Sequence, residues 1–577
     1  MHYRFSFPNR VSHFAEIELT VHDISGETIE FHLPSWRPGR YELGNFAKNI
    51  RQWKAIGGNG EELAFRKTAK DSWLVNTNGN QTIKIQYSYY CAQPDAGACW
   101  IDEQLVYINP VHCCLYIKDR LHEPCSVELD IPIDDKIACS MKQEGDRILT
   151  AADFHELVDS PWMAAAELWH NTYSVHGTLF HIWFHGNVNP DWDKLVHDFS
   201  RFSKVQIDTM GGLPVDEYHF LILVLPFRFY HGVEHLRSTV LALGPGHELM
   251  DRPLYDDLTG VASHELFHVW NIKQIRPAAM LPYDYSKENY SRLGFVYEGN
   301  TTYYGDLFLV RSGVYTVEQY FDELKIRLQK HFDSYGRLFL SVADSSFDTW
   351  LDGYVPGVPH RKTSIYDEGS LTALMTDLYI RKSTNGKSSL DDVMRILFED
   401  FGKKERGYTE LDYQSAVEKV AQYSMSEFFN DYIYGKSPYE PMLSSLLNTV
   451  GCDLIRTSAA KVHESKFGFR TGEEKLGCKV MAVLPGSPAD RAGVGKDDEI
   501  IAVNGEKVEG ELSSYFSETS DKDVVLTLIN PMKRTKEIML KEAPARYYHQ
   551  YSIRRNPNAD EISRDAFKRW TGQDFNS

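Results

Sequence analysis

The segment His264 to His268, which reads HELFH, places two histidines four positions apart. On an α-helix, side chains at that spacing lie on one face, close enough to bind one metal ion together. The apolar periodicity around them predicts a buried helix over Leu258–Ile272, so the imidazoles would face a cavity rather than solvent. Glu265 lies beside the same face, where a carboxylate can accept a proton from a water that attacks a carbonyl. The motif therefore requires a fold that closes around this helix.

A catalytic metal site of this type needs a third protein ligand. The downstream carboxylates to weigh are Asp284, Glu288, Glu298 and Asp306. We favour Glu298, which lies in the predicted helix Leu293–Arg311, whereas Glu288 lies in a polar, loop-like stretch. A carboxylate in an apolar helix is costly unless it is paired or binds metal. The alternative interpretation of Glu298 is an ordinary buried acid.

The length of 577 residues exceeds what one hydrophobic core usually serves, so several domains are expected. Short β-type runs such as Phe14–Val21 continue to about Gly177 and predict an all-β domain, with a Pro- and Gly-rich loop at its rim over Leu33–Tyr41. An apolar strand at His219–Pro226 and a series of helical patterns then predict an α-rich α+β domain. A small β domain and a polar tail follow. The predicted domains are 1–177, 178–455, 456–545 and 546–577.

Acidic residues outnumber basic ones, 81 to 62, which gives a formal net charge of −19. This balance repels polyphosphate, so nucleic acid is not an expected partner. No stretch approaches the roughly 20 apolar residues of a membrane span, and no secretory leader pattern opens the sequence, so we expect a cytoplasmic protein without membrane association. The eight cysteines form no CxxC pair. Cys113 and Cys114 lie in an alternating segment, which predicts one buried thiol and one exposed thiol.

Longer strings extend the HELFH motif. HELFHVWNIKQIRP is followed by FVYEGNTTYYGDLFLVRSG, and LPSWRPGRY, GSPADRAG, DEIIAVNG and NPNADEISRDAFKRWTGQ occur in order around them. Together they resemble the bacterial glycyl aminopeptidase family of gluzincin zinc metallopeptidases. The resemblance implies a β domain, a thermolysin-like catalytic domain and a C-terminal PDZ domain. It also implies one zinc ion per chain, with His264, His268 and Glu298 as its ligands and Glu265 as the general base.

The segment FYHGVEHLRS at Phe229–Ser238 gains a role from this resemblance. It is similar to the glycine-x-Met-Glu-Asn segment of the wider aminopeptidase group, in which the glutamate holds the free amino group of the substrate. Gly232 would let the substrate backbone approach closely, and Glu234 would be the amine anchor. This sequence has Val233 in place of the methionine and His235 in place of the asparagine.

The segment SIYDEGSL at Ser364–Leu371 resembles the tyrosine-x-Lys-Gly string, in which the tyrosine hydroxyl stabilises a tetrahedral oxyanion. Tyr366 takes that role, and Glu368 stands at the lysine position. The alternative interpretation of Tyr366 is a packed structural residue. In the third domain, Phe467, Gly468 and Phe469 resemble part of the carboxylate-binding loop of PDZ domains, so this domain either binds a peptide C-terminus or packs against the catalytic domain.

These features predict a zinc aminopeptidase that removes a small N-terminal residue such as Gly or Ala from peptides, with the residue preference implied by the family alone. Two alternatives remain open. The same zinc constellation could serve an endopeptidase, because it hydrolyses amides wherever the chain is cut. A peptide-binding or chaperone-like protein that works through its PDZ domain would have no need for Glu265 beside the metal ligands.

Overall fold

The computed structural model describes residues 1–355, 357–474, 477–517 and 523–576. The N-terminal part is all-β, as predicted, and its main sheet pairs His2–Ser6 antiparallel with Phe14–Val21 and parallel with Cys125–Asp130. The described strands of this main sheet are, in spatial order, Lys142–Gln143, Ile148–Ala151, Cys125–Asp130, His2–Ser6, Phe14–Val21, Ile83–Tyr90, Ile50–Gly57 and Glu62–Leu63. A smaller sheet is formed by Lys136–Cys139, Trp162–Ala165, Val106–Ile108 and Trp100–Ile101. Another is formed by Thr28–His32, Ser72–Asn76 and Phe65–Ala69.

The thiols of Cys113 and Cys114 are both fully buried, so the prediction of one exposed thiol is wrong. The alternation rule fails because this stretch is not a strand: a 3-10 turn at Pro110–His112 leads directly into it. Within the described part of the chain, the groups of side chains close enough to hold a metal ion contain no cysteine.

The sheet that follows the N-terminal part in the chain has parallel strands at its centre and antiparallel strands at both edges. Its described strands, in spatial order, are Trp169–Val175, Thr178–His185, Glu217–Val224, Ser238–Gly244 and Phe229–Glu234. We call Phe229–Glu234 the edge strand. Trp169–Val175 pairs into this sheet although it precedes residue 177, and the domain boundaries themselves stay predictions.

The HELFH motif lies on a helix that covers Leu254–Phe267, which we call the motif helix. The helix starts earlier than predicted, with Asp256 and Asp257 in its first turn, where acidic side chains are favourable. It also ends earlier, at Phe267, so His268 occupies the C-cap. A backbone φ of 108° at Ile272 is incompatible with continuing the helix.

Glu298 lies in a π-helical segment, Phe295–Asn300, that runs into the α-helix Thr301–Ser312. The predicted single helix is therefore two helical forms joined end to end. The other longer helices of this region are Trp192–Met210, Val317–Asp333, Asp367–Ser383, Leu390–Asp400, Glu410–Ala421 and Tyr439–Asn448. No helix of the described residues is long and apolar enough to cross a membrane.

The C-terminal β domain has its own hydrophobic core, separate from the larger core that the N-terminal and helical parts share. Its described strands are Phe469–Glu474, Gly477–Val483, Glu499–Val503, Glu506–Lys507, Val524–Ile529 and Thr535–Leu540, with short helices at Pro488–Ala492 and Leu512–Ser517. The first strand begins at Phe469, after a π-helical turn at His463–Phe467.

The tail packs back on the helical region of the chain. Its strand Gln550–Arg555 pairs antiparallel with Cys452–Thr457. Its helix Glu561–Thr571 buries Trp570 completely, and the Trp570 ring N–H donates a hydrogen bond of 2.9 Å to the hydroxyl of Tyr303. The tail therefore packs against the helix that contains Tyr303.

Candidate active site

The structure brings the three predicted metal ligands together. The Nε2 atoms of His264 and His268 lie 3.1 Å apart, and Glu298 Oε2 lies 3.9 Å from the first and 3.4 Å from the second. The side chains of His268 and Glu298 are 2% and 3% exposed. Two imidazole nitrogens and one carboxylate oxygen in a buried pocket are the donor set of a catalytic zinc site.

Glycines allow the helices of the site to approach this closely. A Cβ at Gly305 would lie 3.1 Å from the Cα of His264, so a larger side chain would push the motif helix away from the helix that follows Glu298. The π-helical segment is held in the same way, because a Cβ at Gly299 would lie 2.5 Å from Gly369 on the helix Asp367–Ser383. The π-helix widens one turn, as is frequent at functional sites.

Additional hydrogen bonds orient two of the candidate ligands. The Nδ1 atom of His268 lies 2.7 Å from the carbonyl oxygen of Asn271, so Nδ1 carries the proton and Nε2 is free to coordinate. The hydroxyl of Tyr41 donates a buried hydrogen bond of 2.7 Å to Glu298 Oε1, which leaves Oε2 toward the histidines. Tyr41 belongs to the N-terminal domain, so that domain contributes directly to the site.

Glu265 is 5% exposed, and its Oε2 has no hydrogen-bond partner among the described residues. Gly232 on the edge strand lies directly over it: a Cβ at Gly232 would overlap the Glu265 carboxylate and approach Val261. The absence of a side chain at Gly232 therefore leaves room for the Glu265 carboxylate. The predicted contact of Gly232 with the substrate backbone stays a prediction.

Glu234 ends the edge strand and is 4% exposed, with Oε1 unpartnered within the described ranges. Its carboxylate, that of Glu265 and the imidazole of His268 have ligand atoms within 4.8 Å of one another. A buried carboxylate with an unused oxygen is costly unless a cation binds it. Glu234 therefore lies at the metal site, ready to accept a cationic group.

The loop Leu33–Tyr41 of the N-terminal domain, which we call the rim loop, covers this carboxylate. A Cβ at Gly39 would overlap Glu234, and Gly39 has a φ of +80° that favours glycine. The Trp36 ring N–H donates to the carbonyl oxygen of Asp284, 2.7 Å away, which fixes the loop on the catalytic domain. The sequence located this loop at the rim of its domain, but nothing in the sequence pairs it with the metal site.

Tyr366 lies at the start of the helix Asp367–Ser383, on the side of the site that faces the third domain. Its phenol interacts with that of Tyr354, a residue that the sequence reasoning missed. The hydroxyl oxygen of Tyr354 accepts a hydrogen bond of 3.2 Å from the backbone N–H of Tyr41. Burial raises the pKa of Tyr354 to about 12, so this phenol stays protonated and able to donate.

The carboxylates concentrate negative charge in the pocket. Burial raises the pKa of Glu265 to about 8, with Glu234 and Glu298 adding to the effect. Burial alone would lower the pKa of His268, but Glu298 raises it to about 10. Burial and the neighbouring His268 lower the pKa of His264 well below its usual range. A site with these electrostatics favours cations.

The sheet that contains the edge strand carries a further group of side chains with ligand atoms close to one another: His181, Glu217 and His219. Its chemistry differs, because the Trp183 ring N–H lies 3.2 Å from His219 Nδ1 and donates to it. The neutral His219 ring then carries its proton on Nε2, which is unsuited to coordination. The HELFH site is thus the better metal site of the two.

Three family models match the sequence: the peptidase M61 N-terminal domain over residues 2–166, the M61 glycyl aminopeptidase over residues 257–372 and a PDZ domain over residues 479–530. Among solved structures, an aminopeptidase N family protein from Idiomarina loihiensis matches with a TM-score of 0.89 and 24% identity over 99% of each chain. An M1 zinc metallopeptidase from Deinococcus radiodurans gives a TM-score of 0.43 and 15% identity, covering 76% of this chain and 94% of its own. No curated protein sequence matches the chain.

The likeness to the Idiomarina loihiensis structure shows that the whole chain shares one fold with it. The glycyl aminopeptidase match contains the HELFH motif, Glu298 and Tyr366, and the N-terminal match contains the rim loop. The chain thus carries, in order, matches to the N-terminal domain and the glycyl aminopeptidase domain of the M61 peptidases, followed by a match to a PDZ domain.

Proposed function

We propose that this protein is a zinc-dependent aminopeptidase that removes a small N-terminal residue, Gly or Ala, from peptides. The observation that carries the proposal is the buried Glu234 carboxylate, whose free oxygen lies beside the HELFH site. The peptidase family fits hydrolysis of an amide, and the name of the family model supports a preference for glycine. The proposed catalytic residues are Glu265 and Tyr366, and the proposed substrate contacts are Gly232 and Glu234.

His264, His268 and Glu298 fit one zinc ion, because they provide two imidazole nitrogens and one carboxylate oxygen within 4.8 Å of one another. The orienting contacts from Asn271 and Tyr41 match what zinc ligands require. When bound there, zinc would supply Lewis-acid chemistry at the scissile carbonyl.

The remaining tasks fall to residues of the chain. Glu265, which is adjacent to a ligand without being one, accepts the proton of the attacking water and passes it to the leaving amine. Tyr366 donates a hydrogen bond to the oxygen on which negative charge develops. Both carry out their task only as the amide bond is broken, which is where binding energy accelerates a reaction.

Glu234 fixes the point of cleavage. Its carboxylate can accept a charge-assisted hydrogen bond from a free α-ammonium group, which an acetylated terminus cannot offer. The rim loop packs so tightly over Glu234 that a side chain at Gly39 would overlap it, which leaves little room for peptide on the N-terminal side of the bound amino group. Both features support removal of one N-terminal residue at a time.

The decisive experiment compares peptides that begin with Gly or Ala with their acetylated twins. We expect the free peptides to be cleaved at least about a hundredfold more efficiently, and Glu234→Gln to lower kcat/KM for the free peptides by a similar factor. Asp102→Asn, at a carboxylate outside the site, serves as the control. Equal cleavage of both twins would favour an endopeptidase, and activity that survives complete chelation would contradict the zinc.

A further inference from the structure

A cavity of about 1090 Å³ lies between the catalytic domain and the PDZ domain. Its catalytic wall runs from Lys362 to Tyr366 and includes Tyr354. The opposite wall is formed by Met481–Val483 and Val494–Lys496 of the PDZ domain. Ligand pockets for molecules of a few hundred daltons typically measure roughly 300–1,000 Å³, so the cavity can hold a peptide of several residues.

The cavity adjoins the candidate catalytic site at two tyrosines. Tyr366 and Tyr354 form part of its wall, and Tyr354 contacts Tyr41 beside Glu298. The amine anchor Glu234 is not part of the lining. A peptide held by its amino group at Glu234 and cleaved beside Tyr366 therefore continues into this cavity with its C-terminal portion.

The lining has the chemistry of a peptide-binding surface. Apolar side chains with exposed area lie along it, among them Phe339 at 56%, Val358 at 64% and Met481 at 52%. Such side chains on opposite walls can cover the side chains of an extended peptide.

Two lysines add positive charge. Within the described residues, neither Lys362 nor Lys496 forms a salt bridge with a carboxylate, although the chain is strongly acidic overall. Two other charged groups of the lining have partners: Arg361 forms a salt bridge with Asp352, and Asp490 accepts a hydrogen bond from the backbone N–H of Gly486. Lys362 Nζ donates a hydrogen bond of 3.5 Å to the carbonyl oxygen of Thr363, but an ammonium group has three donors, so both lysines can attract the C-terminal carboxylate of a peptide.

The PDZ domain meets this cavity with the strand Gly477–Val483 rather than with the face between Phe469 and the helix Leu512–Ser517. On that other face, the ring of His463 lies 5.1 Å from the ring of Phe469 and 5.6 Å from that of Phe516. The chain itself thus packs there, and the PDZ surface that adjoins the catalytic site is the wall of the cavity.

We propose that the PDZ domain completes the substrate cleft, and that the cavity binds the C-terminal portion of the peptide substrate with its terminal carboxylate near Lys362 and Lys496. This inference rests on the proposed aminopeptidase function and names its substrate class: short peptides of several residues with a free carboxyl end. The PDZ domain acts as part of the peptidase site rather than as a separate module.

The test measures kcat/KM for alanine peptides from the dipeptide to the pentapeptide, as acids and as C-terminal amides. We expect kcat/KM to rise about tenfold with length and to be higher for acids than for amides. Met481→Asp should flatten the length dependence for the acids, and Lys496→Ala should remove the preference for acids.

Matched controls lie on the same domain away from the cavity: Met539→Asp, at a methionine that is 51% exposed, and Lys541→Ala, also exposed. Both should behave as the native protein. A flat length series in an enzyme that cleaves the dipeptide would overturn the inference and leave the proposed function intact, as would equal effects of Met481→Asp and Met539→Asp. Failure to cleave any peptide of the series would overturn the proposed function itself.

Discussion

At the scale of single residues, the site depends on which buried carboxylate joins the two histidines. Glu298 lies 3.4 Å from His268 and is held by Tyr41, whereas Glu288 lies half-buried in a loop. The argument that a carboxylate in an apolar helix must bind a cation led to the same residue. The hydrogen bond from Tyr41 to Glu298 could not be inferred from the sequence, because Tyr41 lies in another domain, 257 positions earlier in the chain.

We expect Glu298→Ala to lose bound zinc, because removal of one of the three proposed ligands leaves an incomplete donor set. Glu288→Ala should keep about one zinc per chain. Metal analysis of both purified variants makes the comparison. Full zinc content in Glu298→Ala would rule out Glu298 as the third ligand.

Tyr366→Phe removes the hydroxyl that we assign to the oxyanion, so turnover should fall by roughly a hundredfold, about 2.7 kcal/mol, with zinc content and melting temperature nearly unchanged. Tyr354→Phe should have a much smaller effect on kcat, because its hydroxyl bonds the Tyr41 backbone. Kinetics and thermal melting on both variants separate the roles. Normal turnover with a lowered melting temperature in Tyr366→Phe would assign it to packing.

At the scale of elements, the close crossing of the edge strand over the motif helix shapes the site. Gly232 and Gly260 both face this region, but only Gly232 has a side-chain position that is filled by the Glu265 carboxylate. A Cβ at Gly260 would meet only the Tyr315 hydroxyl, at 3.4 Å. The two glycines thus provide a matched pair for substitution: Gly232 lies against the Glu265 carboxylate, and Gly260 lies within the motif helix.

We expect Gly232→Ala to displace Glu265 and lower kcat by at least about tenfold, because small misplacements of catalytic groups are costly. Gly260→Ala should keep activity and gain up to about 1 kcal/mol of helix stability, since alanine favours helix over glycine. Steady-state kinetics and thermal unfolding test both changes. Full activity of Gly232→Ala would show that the strand and helix tolerate separation.

At the scale of the whole molecule, a charged contact fastens the N-terminal domain to the catalytic domain beside Glu234. Lys273 Nζ lies 2.6 Å from Asp159 Oδ1, and His235 Nδ1 lies 3.1 Å from the same atom. The Asp159 Oδ2 atom accepts the backbone N–H of Leu236 at 2.9 Å. Burial would raise the pKa of Asp159, but Lys273 and His235 hold it well below its usual range.

We expect Asp159→Asn to destabilise the protein by about 3 kcal/mol at pH 7, because it leaves the buried Lys273 without its partner. As the pH falls to about 4, the Asp159 carboxylate becomes protonated in the unfolded state but stays ionised in the folded state. Its contribution to the free energy of unfolding is therefore present above about pH 4 and is lost as the pH falls below that value. Melting curves at pH 7 and below pH 4 should show a shrinking difference between the variant and the native protein. Asp208→Asn, which breaks an exposed pair with Lys204, should change stability little at either pH.

The sequence by itself determined the features that depend on local order: the three-part fold, the helix that carries HELFH and the apolar setting that singles out Glu298. Periodicity and spacing act over a few residues, so they can be read from the chain directly. The tertiary structure alone decided that the motif helix stops before His268, that Gly232 makes room for Glu265, and that the rim loop and the PDZ domain border the site. These contacts join residues far apart along the chain, and only the packing of the completed fold sets their distances.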